Sequence, residues 1–214
     1  MATVWLAALP AGHFGGNVLT MKEAAPTRPY RQGRRAEAAE ARTAAIREAA
    51  LDAFMAKPFD QITLADVAER AGVGVQTLIR RVQTKDGLVR LVNEWVADGI
   101  RAARGEPDSS DPDVVAAALE RQYERFGALI DRSLRQEEAS PTLAANAQGG
   151  RQGHREWIEA AFADEIAAAG PQLTGQLIGL CGVELWLVLR RDGGLTADQT
   201  RETVAHLIRS VLPA

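Results

Sequence analysis

Apolar positions recur along most of this chain at spacings of three and four, and the runs are interrupted at glycine, proline and capping residues. Ile46, Ala49, Ala50, Ala53 and Phe54 mark the inner stripe of a first helix. A second opens at Thr63, with Asp66 placed to complete a capping box, and carries Val67, Ala68 and Ala71 on one face. Gly72 follows where the chain must leave the helix with positive φ, and Val73 fills the apolar angle beyond it. A third helix, predicted over residues 75–82, has Leu78 and Val82 four apart on its inner side. Thr84 caps a fourth, in which Leu88, Leu91, Val92, Trp95 and Val96 keep the same period.

Past Arg104 the segment GEPDSSDPD reads as a loop, with Asp111 and Pro112 as N-cap and first residue of a long helix lined by Leu119, Tyr123, Phe126, Leu129, Ile130 and Leu134. Ser140-Pro141 starts another, which Gly149-Gly150 is expected to break before a helix carrying Trp157, Ile158, Phe162 and Ile166. A helix from Leu177 through Cys181 to Leu189 is apolar nearly all round, so it must be covered on more than one side. After the Gly193-Gly194 break, Thr196 caps a last helix with Val204, Leu207, Ile208, Val211 and Leu212. The expected fold is all-α: a disordered leader and arm over residues 1–35, a three-helix head with a helix-turn-helix over 36–84, and a helical domain over 85–214.

The third helix turns Gly74, Val75, Gln76, Thr77, Arg80 and Arg81 outward. Small, amide, hydroxyl and guanidinium groups on one helix face suit the major groove of DNA, where base edges present donors and acceptors. A plain helical corner with two solvated arginines is the other reading. Gln76 and Arg80 are the candidate base readers. Lys85, at a helix N-terminus, is the first candidate phosphate contact, with Thr63, Thr77 and Arg81 next. A net charge of −3 is compatible with this once divided by position. Residues 21–104 hold 15 Lys+Arg against 11 Asp+Glu, and residues 105–214 hold 10 against 17, giving +4 and −7. Arg28, Arg31, Arg34 and Arg35 make a basic arm that either follows a phosphate backbone or minor groove or is a solubilising tail.

From about Arg42 to Val92, the runs RTAAIREAALDAFMAKPFDQIT and LADVAERAGVGVQTLIRRVQTKDGLVRLV resemble the N-terminal domain of the tetracycline-repressor (TetR) family of one-component transcription regulators. Pro58-Phe59 stands where that family has a glycine-aromatic pair, Ile79 where it has a phosphate-contacting tyrosine, and Val82 where it has a core phenylalanine. Near the C-terminus, ELWLVLRRDGGLTADQTRETVAHLIRSVL is also similar to family members. The resemblance implies a homodimer closed by the last two helices, with Leu177, Cys181, Leu185, Val188, Val204, Leu207, Ile208 and Val211 at the interface. An intramolecular hairpin core is the other reading of those residues. It further implies a cavity for a small-molecule effector lined by some of Trp95, Tyr123, Phe126, Ile130, Leu143, Trp157 and Phe162, although aromatic residues at helical spacing also serve as plain core. Few charges lie on those faces, so the expected effector is uncharged and fairly apolar; Arg121, Arg125, His154 and Arg155 could serve an anion but are expected at the surface. Two recognition helices about 34 Å apart would meet successive major grooves of a double-stranded DNA operator built as an inverted repeat. Ligand would then relieve repression. The alternative is a DNA-binding adaptor or architectural protein with no effector.

Catalysis finds no support in the residues. Cys181, Glu184 and His206 are the one thiol-carboxylate-imidazole set, and Cys181 falls inside the apolar helix, where a thiol behaves as a small hydrophobe. His13, His154 and His206 lack metal-ligand spacing, and GVGVQT lacks the glycines and lysine of a phosphate loop. No enzyme, cofactor or metal is expected. The uncharged first twenty residues lack the basic start of a signal peptide and read as an upstream translation start or a loose tail before Met21. No segment is expected to approach the roughly 18 apolar residues of a membrane helix, and one cysteine excludes an intramolecular disulfide, so the expected location is the cytoplasm.

Overall fold

The computed structural model describes residues 28–213, and every regular element among them is helical. In chain order these are α1 (Arg28–Ala56), α2 (Leu64–Arg70), α3 (Val75–Val82), α4 (Lys85–Arg104), α5 (Pro112–Arg135), α6 (Pro141–Ala161), α7 (Ala163–Ala169), α8 (Pro171–Leu180), α9 (Val183–Leu187) and α10 (Ala197–Val211). By compactness the chain divides into residues 1–38 and 39–214. Of the first unit only the opening turns of α1 are described; the second contains the other helices. Residues 28–35, expected to be disordered, are helical. Pro29 sits in the first turn, where a missing N–H costs no hydrogen bond, and the alanine-rich stretch after it favours propagation. Residues 1–27 and the side chains of Arg28 and Arg31 lie outside the described residues.

The head is built around its turns. Thr63 and Asp66 form the capping box that opens α2. Gly72, at φ 64°, closes it in a Schellman arrangement: Val73 N–H donates to Ala68 O at 3.0 Å and Gly72 N–H to Glu69 O at 3.1 Å. α3 ends more abruptly. Gln83 has φ 61° and ψ −50°, and Thr84 N–H donates to Val82 O at 2.7 Å, a γ-turn of the strained hand. This turn folds the Val82 carbonyl onto the start of α4, where a Cβ on Gly87 would lie 1.8 Å from Val82 O. Glycine is the residue that fits there. Beneath these turns Ile46, Ala53, Val67, Ala68, Leu78 and Val82 form one apolar core.

In the body, α5 packs against α4, α9 and α10. Leu119, Phe162, Leu177, Trp186, Val204 and Ile208 are fully buried in its core, and the Tyr123 hydroxyl donates to Cys181 O at 2.7 Å. Ion pairs follow the outer side of α5: Asp113 with Arg209, Glu120 with Arg201, Glu124 with Arg190 and Asp131 with Arg191. Arg190, hydrogen-bonded to Glu124, lowers that carboxyl below its ordinary pKa.

Three sequence expectations are corrected. Gly149-Gly150 does not break a helix, because α6 runs through both. A glycine costs a helix interior only about 1 kcal/mol relative to alanine, and the buried Leu143, Ala147, Trp157 and Ile158 hold the segment together. The apolar helix over residues 177–189 is divided: α8 ends at Leu180, Gly182 opens α9, and a π-turn covers Val188–Asp192. Finally, Pro171–Asp192 is long and apolar enough by length and composition to cross a membrane, with mean hydropathy 1.4 in an 18-residue window. Its glycines do not lower the mean as polar residues would. Leu173, Leu177, Cys181 and Trp186 in this segment pack into the body core.

The close approach at Val82 gives one alanine substitution two opposite outcomes. Gly87→Ala is expected to destabilise the chain by at least about 3 kcal/mol, since backbone must move. Gly149→Ala, with open space around it inside α6, is expected to stabilise by about 0.5–1 kcal/mol. Urea unfolding midpoints of the two variants test both signs.

Candidate nucleic-acid interface and cavity

α3 presents the face expected of it. Leu78 and Val82 are buried, Ile79 is half-buried, and Val75, Gln76, Thr77, Arg80 and Arg81 are exposed. Gln76, Arg80 and Arg81 have no hydrogen-bond or ion-pair partner among the described residues, so their side chains are free to engage a nucleic acid. Gly74 supplies the N-cap without a side chain, keeping the helix start open to close approach by a phosphate backbone. Thr63 is exposed, but its hydroxyl oxygen already accepts from Asp66 N–H at 3.1 Å. The Thr63 backbone N–H in turn holds the Asp66 carboxyl below its ordinary pKa, with Lys57 adding to the effect.

Lys85 is placed differently from the expectation. Its ammonium donates to Phe59 O and lies 4.1 Å from the centre of the Phe59 ring, and burial lowers its pKa. Phe59 is bound on its other side as well, because its N–H donates to the Gln136 side-chain oxygen at 2.7 Å. Nearby, Arg132 donates to Phe54 O and stacks over the Phe54 ring at 5.7 Å. The end of α5 and the turn after it therefore grip the end of α1 and the turn that leads into α2.

Beside these contacts is a cavity of about 1000 Å³. Head residues Phe54, Phe59 and Ile62 contribute to its wall, as do Lys85 and Leu88 at the start of α4 and Ile130, Leu134, Leu143 and Trp157 from the body. Of the expected lining, Tyr123, Ile130, Leu143 and Trp157 are present, whereas Trp95, Phe126 and Phe162 are not. The Arg47 guanidinium covers the Trp95 ring at 5.9 Å. Phe126 is pressed against Gly99 of α4, where an added Cβ would come within 2.7 Å of the ring. Phe162 is fully buried at the joint between α6 and α7.

Arg104, Gln122 and His154 also line the cavity. The signal for them was a polar residue falling on an apolar period: Arg104 continues Val92, Val96 and Ile100 at steps of four, and Gln122 lies between Leu119 and Phe126. His154, expected at the surface, occupies the inner stripe of α6, and burial lowers its pKa. Arg121, Arg125 and Arg155 are exposed as expected.

The expected dimer residues divide into two groups. Leu177, Cys181, Val204 and Ile208 are buried in the chain's own core because α10 packs on α5 and α8 packs on α6, α7 and α10, and are corrected to intramolecular contacts. Leu185, Leu207 and Val211 are only partly buried, and Val188 is 52% exposed. Burial pushes the Cys181 thiol up to about 12, so it behaves as a small hydrophobe. No group of three or more His, Cys, Asp or Glu with metal-site geometry occurs among the described residues.

Residues 46–92 match the family model described as bacterial regulatory proteins, tetR family. A TetR-family transcriptional regulator from Streptomyces coelicolor superposes with a TM-score of 0.52 at 20% identity, covering 80% of this chain and 79% of its own. A TetR transcriptional regulator from Rhodococcus sp. RHA1 is also similar, with a TM-score of 0.46 at 20% identity over 80% of this chain and 95% of its own. No curated protein matches the sequence. The family match coincides with the capped α2, the glycine turn and the exposed face of α3, so residues 46–92 carry the helix-turn-helix that the model of bacterial regulatory proteins of the tetR family describes.

Proposed function

We propose that the protein is a cytoplasmic homodimeric repressor that binds an inverted-repeat operator and is released by a small molecule. The observation that carries this reading is the shared wall of the cavity, which takes Phe54, Phe59 and Ile62 from the head and Ile130, Leu134 and Trp157 from the body. A ligand held between two parts of a molecule favours whichever spacing suits it, and by linkage it weakens any function that needs another spacing.

α5 supplies the connection. Leu129, Ile130, Ser133 and Leu134 line the cavity, while Arg132 and, just past the helix, Gln136 hold Phe54 and Phe59. Ligand seated against this end of α5 displaces those holds and lets the head turn. Leu185, Val188, Leu207 and Val211 form the dimer seam, setting the two α3 helices at the groove repeat of about 34 Å. Gln76 and Arg80 read base edges, with Val75 against the groove floor. Thr63, Thr77 and Arg81 contact phosphates, and Lys85 joins them by turning away from the Phe59 carbonyl.

Selection of random duplex DNA by the purified protein at two salt concentrations tests the proposal. The expected product is an inverted repeat whose retention falls steeply with salt; retention of no sequence would contradict operator binding. Arg80→Ala is expected to relax preference at one base pair per half-site by about 1–3 kcal/mol, and unchanged preferences would remove Arg80 from base reading. Val188→Glu is expected to convert the dimer to monomer in size-exclusion chromatography with light scattering. It should also lower operator affinity more than tenfold, and a dimeric variant would place the seam elsewhere.

A further inference from the structure

The polar atoms of the cavity carry more information than its volume. Arg104 Nε, Gln122 Oε1 and His154 Nδ1 are buried without a hydrogen-bond partner among the described residues, and all three side chains line the same cavity. Such atoms are costly in a folded protein unless a partner meets them. Gln122 is only 5% exposed. Arg104 packs its guanidinium 4.9 Å from the centre of the Trp157 ring and reaches Gly153 O at 3.4 Å, and no carboxylate pairs with it among the described residues. The other cations at the cavity's edge are already engaged: Arg101 pairs with Asp98, Arg151 with Glu137 and Arg155 with Glu159, and Lys85 donates to Phe59 O.

The hydrogen-bond polarity of the three atoms is defined. Arg104 Nε is a donor and Gln122 Oε1 an acceptor. His154 Nε2 faces Ile178 O at 3.4 Å, a contact it makes as a donor, which leaves Nδ1 as the acceptor of a neutral ring. A ligand that satisfies the set offers an anionic acceptor to Arg104 and a hydroxyl or N–H to Gln122 or His154. Val92, Val96, Ile130, Leu134 and Leu143 supply apolar wall beside these atoms.

We infer that the effector is an amphipathic carboxylic acid, its carboxylate on Arg104, a hydroxyl beside it directed to Gln122 or His154, and its apolar chain between α4, α5 and α6. The inference rests on the reading of this cavity as the effector site and replaces the sequence expectation of an uncharged ligand. Guanidinium is the group of choice here because it meets both oxygens of a carboxylate in one plane.

Isothermal titration calorimetry of the full chain with decanoate, 1-decanol and 3-hydroxydecanoate, each below its aggregation concentration, tests the inference. Decanoate is expected to bind at least tenfold more tightly than decanol, and 3-hydroxydecanoate more tightly than decanoate. In Arg104→Met the acid is expected to fall to the level of the alcohol while the alcohol is unchanged. In Gln122→Leu with His154→Phe, the advantage of the hydroxyl should disappear while decanoate still outbinds decanol. The unchanged alcohol serves as the check that the variants retain the cavity. Equal binding of acid and alcohol by the unaltered protein would overturn the carboxylate assignment and leave the cavity as an effector site for neutral ligands. Binding of none of the three would overturn the effector reading as well.

Discussion

α5 is the element on which the rest of this structure depends. Its inner face carries Leu119, Tyr123 and Phe126 into the body, and its outer side is tied by ion pairs to the C-terminal segment. Its last turns line the cavity, and Arg132 with Gln136 holds the head at Phe54 and Phe59. A single rigid helix in these positions cannot shift at the cavity without altering the head contacts. That is the physical basis for the proposed coupling, since α3, the proposed DNA-reading helix, does not itself contribute to the cavity. Phe59 is the point of attachment, because its N–H is taken by the body and its carbonyl by Lys85 of α4.

The head owes its form to local rules. The Thr63 capping box, the Schellman turn at Gly72 and the cap at Thr84 each satisfy backbone groups within a few residues, so all three were legible in the sequence. The γ-turn at Gln83 was not. No residue type there announces positive φ, and its necessity appears only when α4 is seen to begin against the Val82 carbonyl. The strain is borne where the recognition helix meets the helix that links head to body.

In the body, legibility followed the range of the interaction. Caps at Asp111, Ser140 and Thr196 were readable because they act locally. The assignment of apolar residues to core, cavity or dimer seam was not, since periodicity gives the apolar face of a helix but not its neighbour. Trp95 and Phe126 show this: both lie on the expected stripes, yet one is covered by Arg47 and the other by the close approach of Gly99. The same limit sent Leu177, Cys181, Val204 and Ile208 to the dimer seam on sequence grounds, when all four are buried in one core within a single chain. Arg104, Gln122 and His154 show the reverse case, in which polar side chains on an apolar period turn to the cavity.

The central claim is that the grip of α5 on Phe54 and Phe59 sets the position of the recognition helices across the dimer. The most direct measurement is the distance distribution between spin labels on Glu69→Cys, an exposed position in α2, in a background where Cys181 is buried and unlabelled. The account predicts one narrow cross-dimer distance in the otherwise native protein and a broad or displaced distribution when Arg132→Ala and Gln136→Ala release the head. Identical distributions in the two proteins, or no cross-dimer distance at all, would contradict it.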